Sequence, residues 1–228
     1  RQYVQKIVSR TADARLTRPV QQILRDAGGV RIVSEGSVER FDAVVLACHS
    51  DQALSLLGHS ASDEERAVLG AIRYQPNRAV LHTDTSVMPH HRRAWAAWNY
   101  DRAPSAQAES AQVCLHYWLN RLQPLPVDTP VIVSLNPHRP IAPQTVMGEY
   151  EYAHPVFDLA AIRAQARVPA LQGQQHTFFA GAWMGYGFHE DGLKAGLQAA
   201  RALIDAHRLA PTMDQAQRRQ QALPGVFA

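Results

Sequence analysis

His176-Thr177-Phe178-Phe179-Ala180-Gly181-Ala182-Trp183-Met184-Gly185-Tyr186-Gly187-Phe188-His189-Glu190-Asp191-Gly192-Leu193-Lys194-Ala195-Gly196 reads as a short apolar strand, a glycine-rich crossing loop and a helix built from small residues. A strand that passes through glycines into a helix N-terminus is how α/β proteins present backbone N–H groups to a cofactor. Gly181, Gly185, Gly187 and Gly192 fall within twelve residues, and glycine lets a ligand or a second backbone approach closely. As a dinucleotide fingerprint, Gly185-Tyr186-Gly187-Phe188-His189-Glu190 has the first two glycines and lacks the third. Downstream, Leu193, Leu197, Ala200 and Ile204 recur at helical spacing as an apolar stripe, with Gly192, Ala195, Gly196 and Ala199 keeping the helix thin. A helix packed on a sheet with no ligand produces the same spacing. His189, Glu190 and Asp191 read either as acid/base groups or as caps favoured by the helix dipole, with Asp191 read as a cap.

Working outward, Gln172-Gly173 turns into the final strand, and a helix from Asp158 or Leu159 to about Arg167 precedes it. Near the start, Ala14-Arg15-Leu16 and Val20 to Arg25 alternate loosely, Asp26-Ala27-Gly28-Gly29 signals a turn, and Val30 to Val33 is a second strand. Phe41 to Cys48 is nearly all apolar after Asp42, as in a strand buried on both faces. Ser50 is the expected N-cap of a helix to Leu57, and Ser62-Asp63-Glu64-Glu65 opens a helix to about Ile72. Between these flanks, Arg78–Thr83, Ala94–Tyr100, Ala111–Leu119 and Val131–Leu135 read as strands of an antiparallel sheet. His154 to Asp158 reads as an extended segment. Trp95, Trp98, Tyr100, Tyr117 and Trp118 concentrate in that middle region, where they either wall an apolar pocket or fill a core.

The 228 residues are 46% hydrophobic and 19% charged, an ordinary globular composition with a net charge of +3. The basic residues are scattered, with short groups at His90-His91-Arg92-Arg93 and Arg218-Arg219, so nucleic-acid binding has no stripe to rest on. Two cysteines, Cys48 and Cys114, are too few for a disulfide scaffold and point to core thiols in a reducing, cytoplasmic compartment. No apolar run approaches the roughly 18 residues of a bilayer span. Metal binding is not expected: His82, Asp84, His90 and His91 are the nearest grouping and lack zinc spacing. The first residues, Arg1 to Val8, read as the middle of an amphipathic helix with no cap, as though the chain continued upstream.

The segment Phe178 to Leu193 resembles the C-terminal flavin motif of NAD/FAD-binding proteins related to flavin-containing amine oxidases. Further segments match in the family's order: Asp42–Leu54, Ala79–Asp84, Ala94–Tyr100, Tyr117–Gln123 and His154–Asp158. The resemblance implies an α/β fold, the C-terminal part of a two-lobed FAD-dependent oxidoreductase. In it a Rossmann-like FAD-binding lobe carries an inserted antiparallel substrate lobe, and the N-terminal βαβ unit is missing. It assigns residues 1–58 to the FAD lobe (the first dozen as a helix of the substrate lobe), 59–150 to the substrate lobe, 151–208 to the FAD lobe again and 209–228 to a tail. It places cofactor contacts at Val20, Gly181, Ala182, Trp183, Gly185, Gly187, His189, Asp191, Gly192 and Leu193. The amides of Gly192 and Leu193 would face the flavin's pyrimidine edge, where a helix N-terminus favours the charge gained on reduction. The family's acidic residue is replaced here by Ala182, and no G-x-G-x-x-G follows a strand in the first hundred residues.

The expected activity is hydride transfer from an amine or an apolar, lipid-like substrate to FAD. His189, Tyr186 and Trp98 are the catalytic candidates, and Trp95, Tyr117 and Trp118 join Trp98 and Tyr186 near the substrate. A small molecule is the expected partner, with peripheral lipid contact open and the oligomeric state undetermined. The alternative is a non-catalytic α/β domain, truncated or docking on a separate nucleotide-binding chain.

Overall fold

A computed structural model describes residues 2–102 and 113–209. The tail beyond Leu209 and the expected strand start at Ala111 and Gln112 lie outside the described residues. The chain is mixed α/β and divides into two compact units, Arg1–Arg73 with Val156–Ala228, and Tyr74–Pro155.

The first unit opens with α1 (Gln2–Val8) and a three-stranded antiparallel meander, β1 (Val20–Asp26), β2 (Gly29–Ser34) and β3 (Ser37–Phe41). The expected alternation at Ala14–Leu16 forms no strand. Arg15 instead pairs with Asp13 and Glu39 at the surface. β4 is short, Val44–Leu46. It is not buried on both faces as its composition suggested, because Val45 is 38% exposed. An apolar run records how much hydrophobic surface a strand carries, and only its neighbours decide how much is covered.

Two helices follow. α2 (Ser50–Leu57) is entered from His49, whose N–H donates to Gln52 Oε1 at 3.2 Å, so the N-cap is His49 and the expected cap, Ser50, is the buried first helical residue. α3 (Asp63–Leu69) has the cap the sequence encodes. Ser62 Oγ accepts from Glu65 N at 3.1 Å, and Glu65 Oε2 accepts from Ser62 N at 2.7 Å. The helix stops at Gly70, short of Ile72. Glu65 has a second role. It meets Arg25 of β1 at 2.6 Å with both side chains only 1% exposed, and Arg25 also donates to Thr177 and to the Ser60 carbonyl. Burial works against the charged carboxyl. The Arg25 guanidinium and the Ser62 amide outweigh it and hold Glu65 below the usual carboxylate range.

The second unit is one five-stranded antiparallel sheet. Its strands are β5 (Tyr74–His82), β6 (Trp98–Asp101), β7 (Cys114–Trp118), β8 (Ile132–Leu135) and β9 (Val146–Pro155), in the order β6-β7-β8-β5-β9. A single turn, α4 (Leu119–Leu122), follows β7. Ala94 to Ala97 are outside any strand, since a 3₁₀ turn at Arg92–Ala94 precedes β6. β9 is longer than the expected extended segment because it pairs with β5 along nearly its whole length, from Tyr74↔Pro155 to His82↔Val146. The insertion leaves and rejoins the first unit at one place, where Val156 N donates to Arg73 O at 2.8 Å and Arg73 pairs with Asp158 at 2.9 Å.

Back in the first unit, Asp158 caps α5 (Leu159–Gln165) by accepting from Ala161 N at 2.9 Å. α6 (Val168–Leu171) leads to β10 (Thr177–Phe179), which pairs in parallel with β4 through Thr177↔Val44 and Phe179↔Leu46. α7 (His189–Leu209) closes the described chain. Its buried face is Ala195 and Ala199, packed with Phe178 and Ala180. The expected stripe turns the other way, with Leu193 58%, Leu197 49% and Ile204 49% exposed. Small residues admit the close approach of helix to sheet, so the thin face packs inward and the bulky one is left outside.

Candidate functional site

The loop from β10 to α7 is held by its own chemistry. Ala180 N extends the parallel ladder to Leu46 O at 3.0 Å. Trp183 is buried at the centre of a 3₁₀ turn, Ala182–Met184, and its indole N–H donates to Cys48 O at 3.0 Å, tying the loop to the end of β4. A Cβ on Gly181 would run into that indole, so only glycine lets Trp183 dock there. Gly185 N and Gly187 N both donate to Ala182 O at 3.1 Å, and Gly187 takes φ +87°, a conformation other residues adopt only with strain. Gln165 of α5 donates to Trp183 O at 2.9 Å and Gly185 O at 2.7 Å, fastening the loop from outside. Nothing in the sequence around Gln165 announced this role.

Asp191 is the internal cap the sequence suggested. Its Oδ2 accepts from Tyr186 N and Phe188 N, each at 3.0 Å. The amides of Asp191 and Gly192 turn back onto Phe188 O at 3.0 and 3.2 Å. The Gly192 N–H is thus engaged within the first turn. The amides of His189 and Glu190 lead the helix, where no intrahelical acceptor precedes them. Gly192 faces Ala182, with 3.8 Å from a built Cβ to the alanine methyl.

The structure therefore gathers Gly181, Ala182, Trp183, Gly185, Tyr186, Gly187, His189, Asp191, Gly192 and Leu193 at one loop-to-helix junction. Tyr186 is exposed and meets Phe157 edge-on at 6.1 Å between ring centroids. His189 is exposed at the helix start. Val20 stands at the exposed beginning of β1. Trp98 belongs to the second unit.

Within that second unit the aromatics divide between the two faces of the sheet. Trp98 pairs with Tyr117 across β6 and β7, ring centroids 5.3 Å apart, on a half-open face shared with Leu115, Val133 and Leu81. Burial raises the Tyr117 phenol above its usual pKa, so it stays protonated at neutral pH. Trp95 and Trp118 instead pack around Val87, Met88 and Ile132, with Arg92 stacked 4.6 Å above the Trp95 ring. Period-two alternation makes this division, because Tyr117 and Trp118 are neighbours in sequence and must point to opposite faces. The histidine group named from sequence forms no cluster. His82 is buried and Asp84 caps a turn, accepting from Ser86 N and Ala142 N at 2.9 Å.

No family model and no curated protein matches the chain in sequence. Solved structures do match in fold. A putrescine oxidase redesigned at its cofactor-binding site aligns with TM-score 0.58 and 10% identity, covering 89% of this chain and 52% of that one. A fatty acid isomerase from P. acnes that produces CLA aligns at 0.53 and 16%, covering 80% and 46%. Cyclohexylamine oxidase from Brevibacterium oxydans aligns at 0.50 and 17%, covering 83% and 48%. The chain thus spans about half the length of the structures it matches. At these identities the likeness is one of fold: the chain shares the fold of about half of each of these enzymes.

Proposed function

We propose that this chain forms part of an FAD-dependent oxidoreductase acting on an amine or on an apolar, lipid-like substrate. The observation that carries the reading is the crossing from β10 through Gly181 and Trp183 into the mouth of α7. FAD, when bound, supplies the hydride acceptor. The residues present fit its ring end. The leading amides of α7 favour an edge that gains negative charge, Gly192 leaves that mouth without a side chain, and Tyr186 and His189 stand beside it with groups able to hold or move a proton. Its diphosphate end needs a further set of donors. Among the described residues there is no second glycine-rich strand-to-helix crossing to supply them. The half-open face around Trp98 and Tyr117 supports an apolar substrate.

The test is to express the whole reading frame that contains this chain and record its absorption spectrum. The reading expects a bound flavin that is reduced anaerobically by a primary amine or an unsaturated fatty acid. It also expects Gly192→Asp, which sets a carboxylate at the helix mouth, to lower flavin retention at least tenfold with the fold intact. A colourless protein that gains no flavin on reconstitution would sink it.

The uncovered side of α7, with Leu193, Leu197 and Ile204 outward, and the two-stranded β4–β10 sheet favour a second reading, a module that docks on a separate nucleotide-binding chain. Co-purification of such a chain, with no nucleotide-binding segment in the same reading frame, would support it over the first.

A further inference from the structure

On the buried face of the second unit's sheet, β6 and β7 bring three side chains of different chemistry together. Asp101 and Cys114 are directly opposite in register, and His116 lies two residues along β7 on the same face. One ligand atom from each lies within 4.8 Å of the others. His116 Nε2 is 3.5 Å from Asp101 Oδ2 and 3.7 Å from Cys114 Sγ. The first distance is long for a charge-assisted hydrogen bond. Both match the edge of a tetrahedron around an ion with bonds of 2.0 to 2.3 Å, roughly 3.3 to 3.8 Å.

The surroundings also suit an ion. The other ring nitrogen of His116 is 2.7 Å from Ser134 Oγ, which is 2.7 Å from His82 Nε2. Ligating histidines are oriented by a partner of this kind. His82 Nδ1 accepts from the Asp84 amide at 3.1 Å, so its proton is on Nε2 and is donated to Ser134. Without an ion, Ser134 donates to His116 Nδ1, and the His116 Nε2–H points toward Asp101. An ion at Nε2 moves that proton to Nδ1, which then donates to Ser134 Oγ, an atom with two lone pairs. A zinc-type ion takes imidazole in its neutral form and cysteine as the thiolate, so binding displaces the proton of the Cys114 thiol. The His138 backbone also bonds that thiol, and the His138 side chain carries a buried Nε2 with no hydrogen-bond partner. A cavity of about 160 Å³, lined by Asp101, His116, Asn99, Tyr100 and Arg139 among others, gives entry and room for a water ligand. Arg139 approaches Asp101 at 3.2 Å and offsets part of the charge that a thiolate and a carboxylate bring.

We propose that Asp101, Cys114 and His116 form a binding site for a borderline-soft divalent ion of the zinc type, with three protein ligands and one open position. The mixed thiolate, imidazole and carboxylate set suits zinc over magnesium or calcium. The ion would clamp edge strand β6 to β7 at the end of their ladder, a role separate from any flavin chemistry.

The test is titration of the purified full chain with Co²⁺, following the thiolate-to-cobalt charge-transfer absorption. The expected result is a band that saturates near one equivalent, releases about one proton per ion and is displaced by Zn²⁺. Cys48→Ser keeps the band and Cys114→Ser loses it. Ser134→Ala weakens binding about ten- to a hundredfold. Asp101→Asn is the variant least exposed to folding failure, because Asp101 borders the cavity, and it should weaken binding at least tenfold with an unchanged circular dichroism spectrum. The proposal is overturned by no band in the wild-type chain, by a band that survives Cys114→Ser, or by undiminished affinity in Asp101→Asn.

Discussion

Glu65 does two jobs that the sequence separates poorly. Its place three residues after Ser62 announces a capping box, and that reading is local. Its ion pair with Arg25, 40 residues earlier, is tertiary and fully buried. Removing one partner of a buried pair leaves an uncompensated charge, so Glu65→Ala should cost about 3 to 5 kcal/mol, read from urea denaturation. Ser62→Ala removes only the cap and should cost about 0.5 to 2 kcal/mol. The pH dependence follows from the direction of the Glu65 shift. Its folded pKa lies below the ordinary 4.5. Its contribution is therefore present in full above that ordinary value and is lost as pH falls through the lower, folded one. Wild-type stability should fall with acid below pH 4.5 more steeply than that of Glu65→Gln. Equal slopes would show that the carboxylate is not held in its charged form.

The element that decides the candidate site is the loop between β10 and α7, and its weak point is Gly181. Gly181→Ala sets a methyl against the Trp183 indole and should break the bond to Cys48 O, giving a red-shifted tryptophan emission and a loss of about 1 to 3 kcal/mol. An unchanged spectrum would mean that the loop accommodates a side chain there. For α7, the helical period was legible while its phase was not. Leu193, Leu197 and Ile204 recur as a buried stripe should, yet Ala195 and Ala199 face the sheet. Leu197→Gln should change the stability of this chain by less than about 0.5 kcal/mol, whereas Ala199→Leu should cost about 1 to 3 kcal/mol by overpacking. Chemical denaturation of the two variants compares the faces directly. If Leu197→Gln proves the costlier change, the stripe is buried after all.

At the scale of the molecule, the second unit is an insertion whose ends meet. Tyr74 pairs with Pro155, and the flanking residues Arg73 and Val156 are bonded to each other. Replacing residues 74–155 with a short Gly-Ser loop should leave the first unit folded, because a hairpin-like closure already joins its ends. Retention of the amide protection pattern of β1, β2 and α3 in hydrogen exchange would bear this out, and a molten spectrum would show that the unit depends on its insertion. Removal of all 82 residues is the strong form of the test. The described residues contain no helix long and apolar enough to cross a membrane.

The sequence alone determined what depends on neighbours a few residues apart. The Ser62 cap, the helix opened at Asp158 or Leu159, the hairpin of β1 and β2, the antiparallel character of the middle region and the strand–glycine–helix order after His176 are all local chemistry. Tertiary structure decided what depends on which surfaces meet. It turned the small residues of α7 inward and left Val45 half open. It also set Asp101 opposite Cys114, although the two are 13 positions apart along the chain. Cys114 and His116 were visible as alternate residues on one face. Their carboxylate partner was not, because strand register is fixed by side-chain packing and by the sheet's other ladders, which no local pattern records.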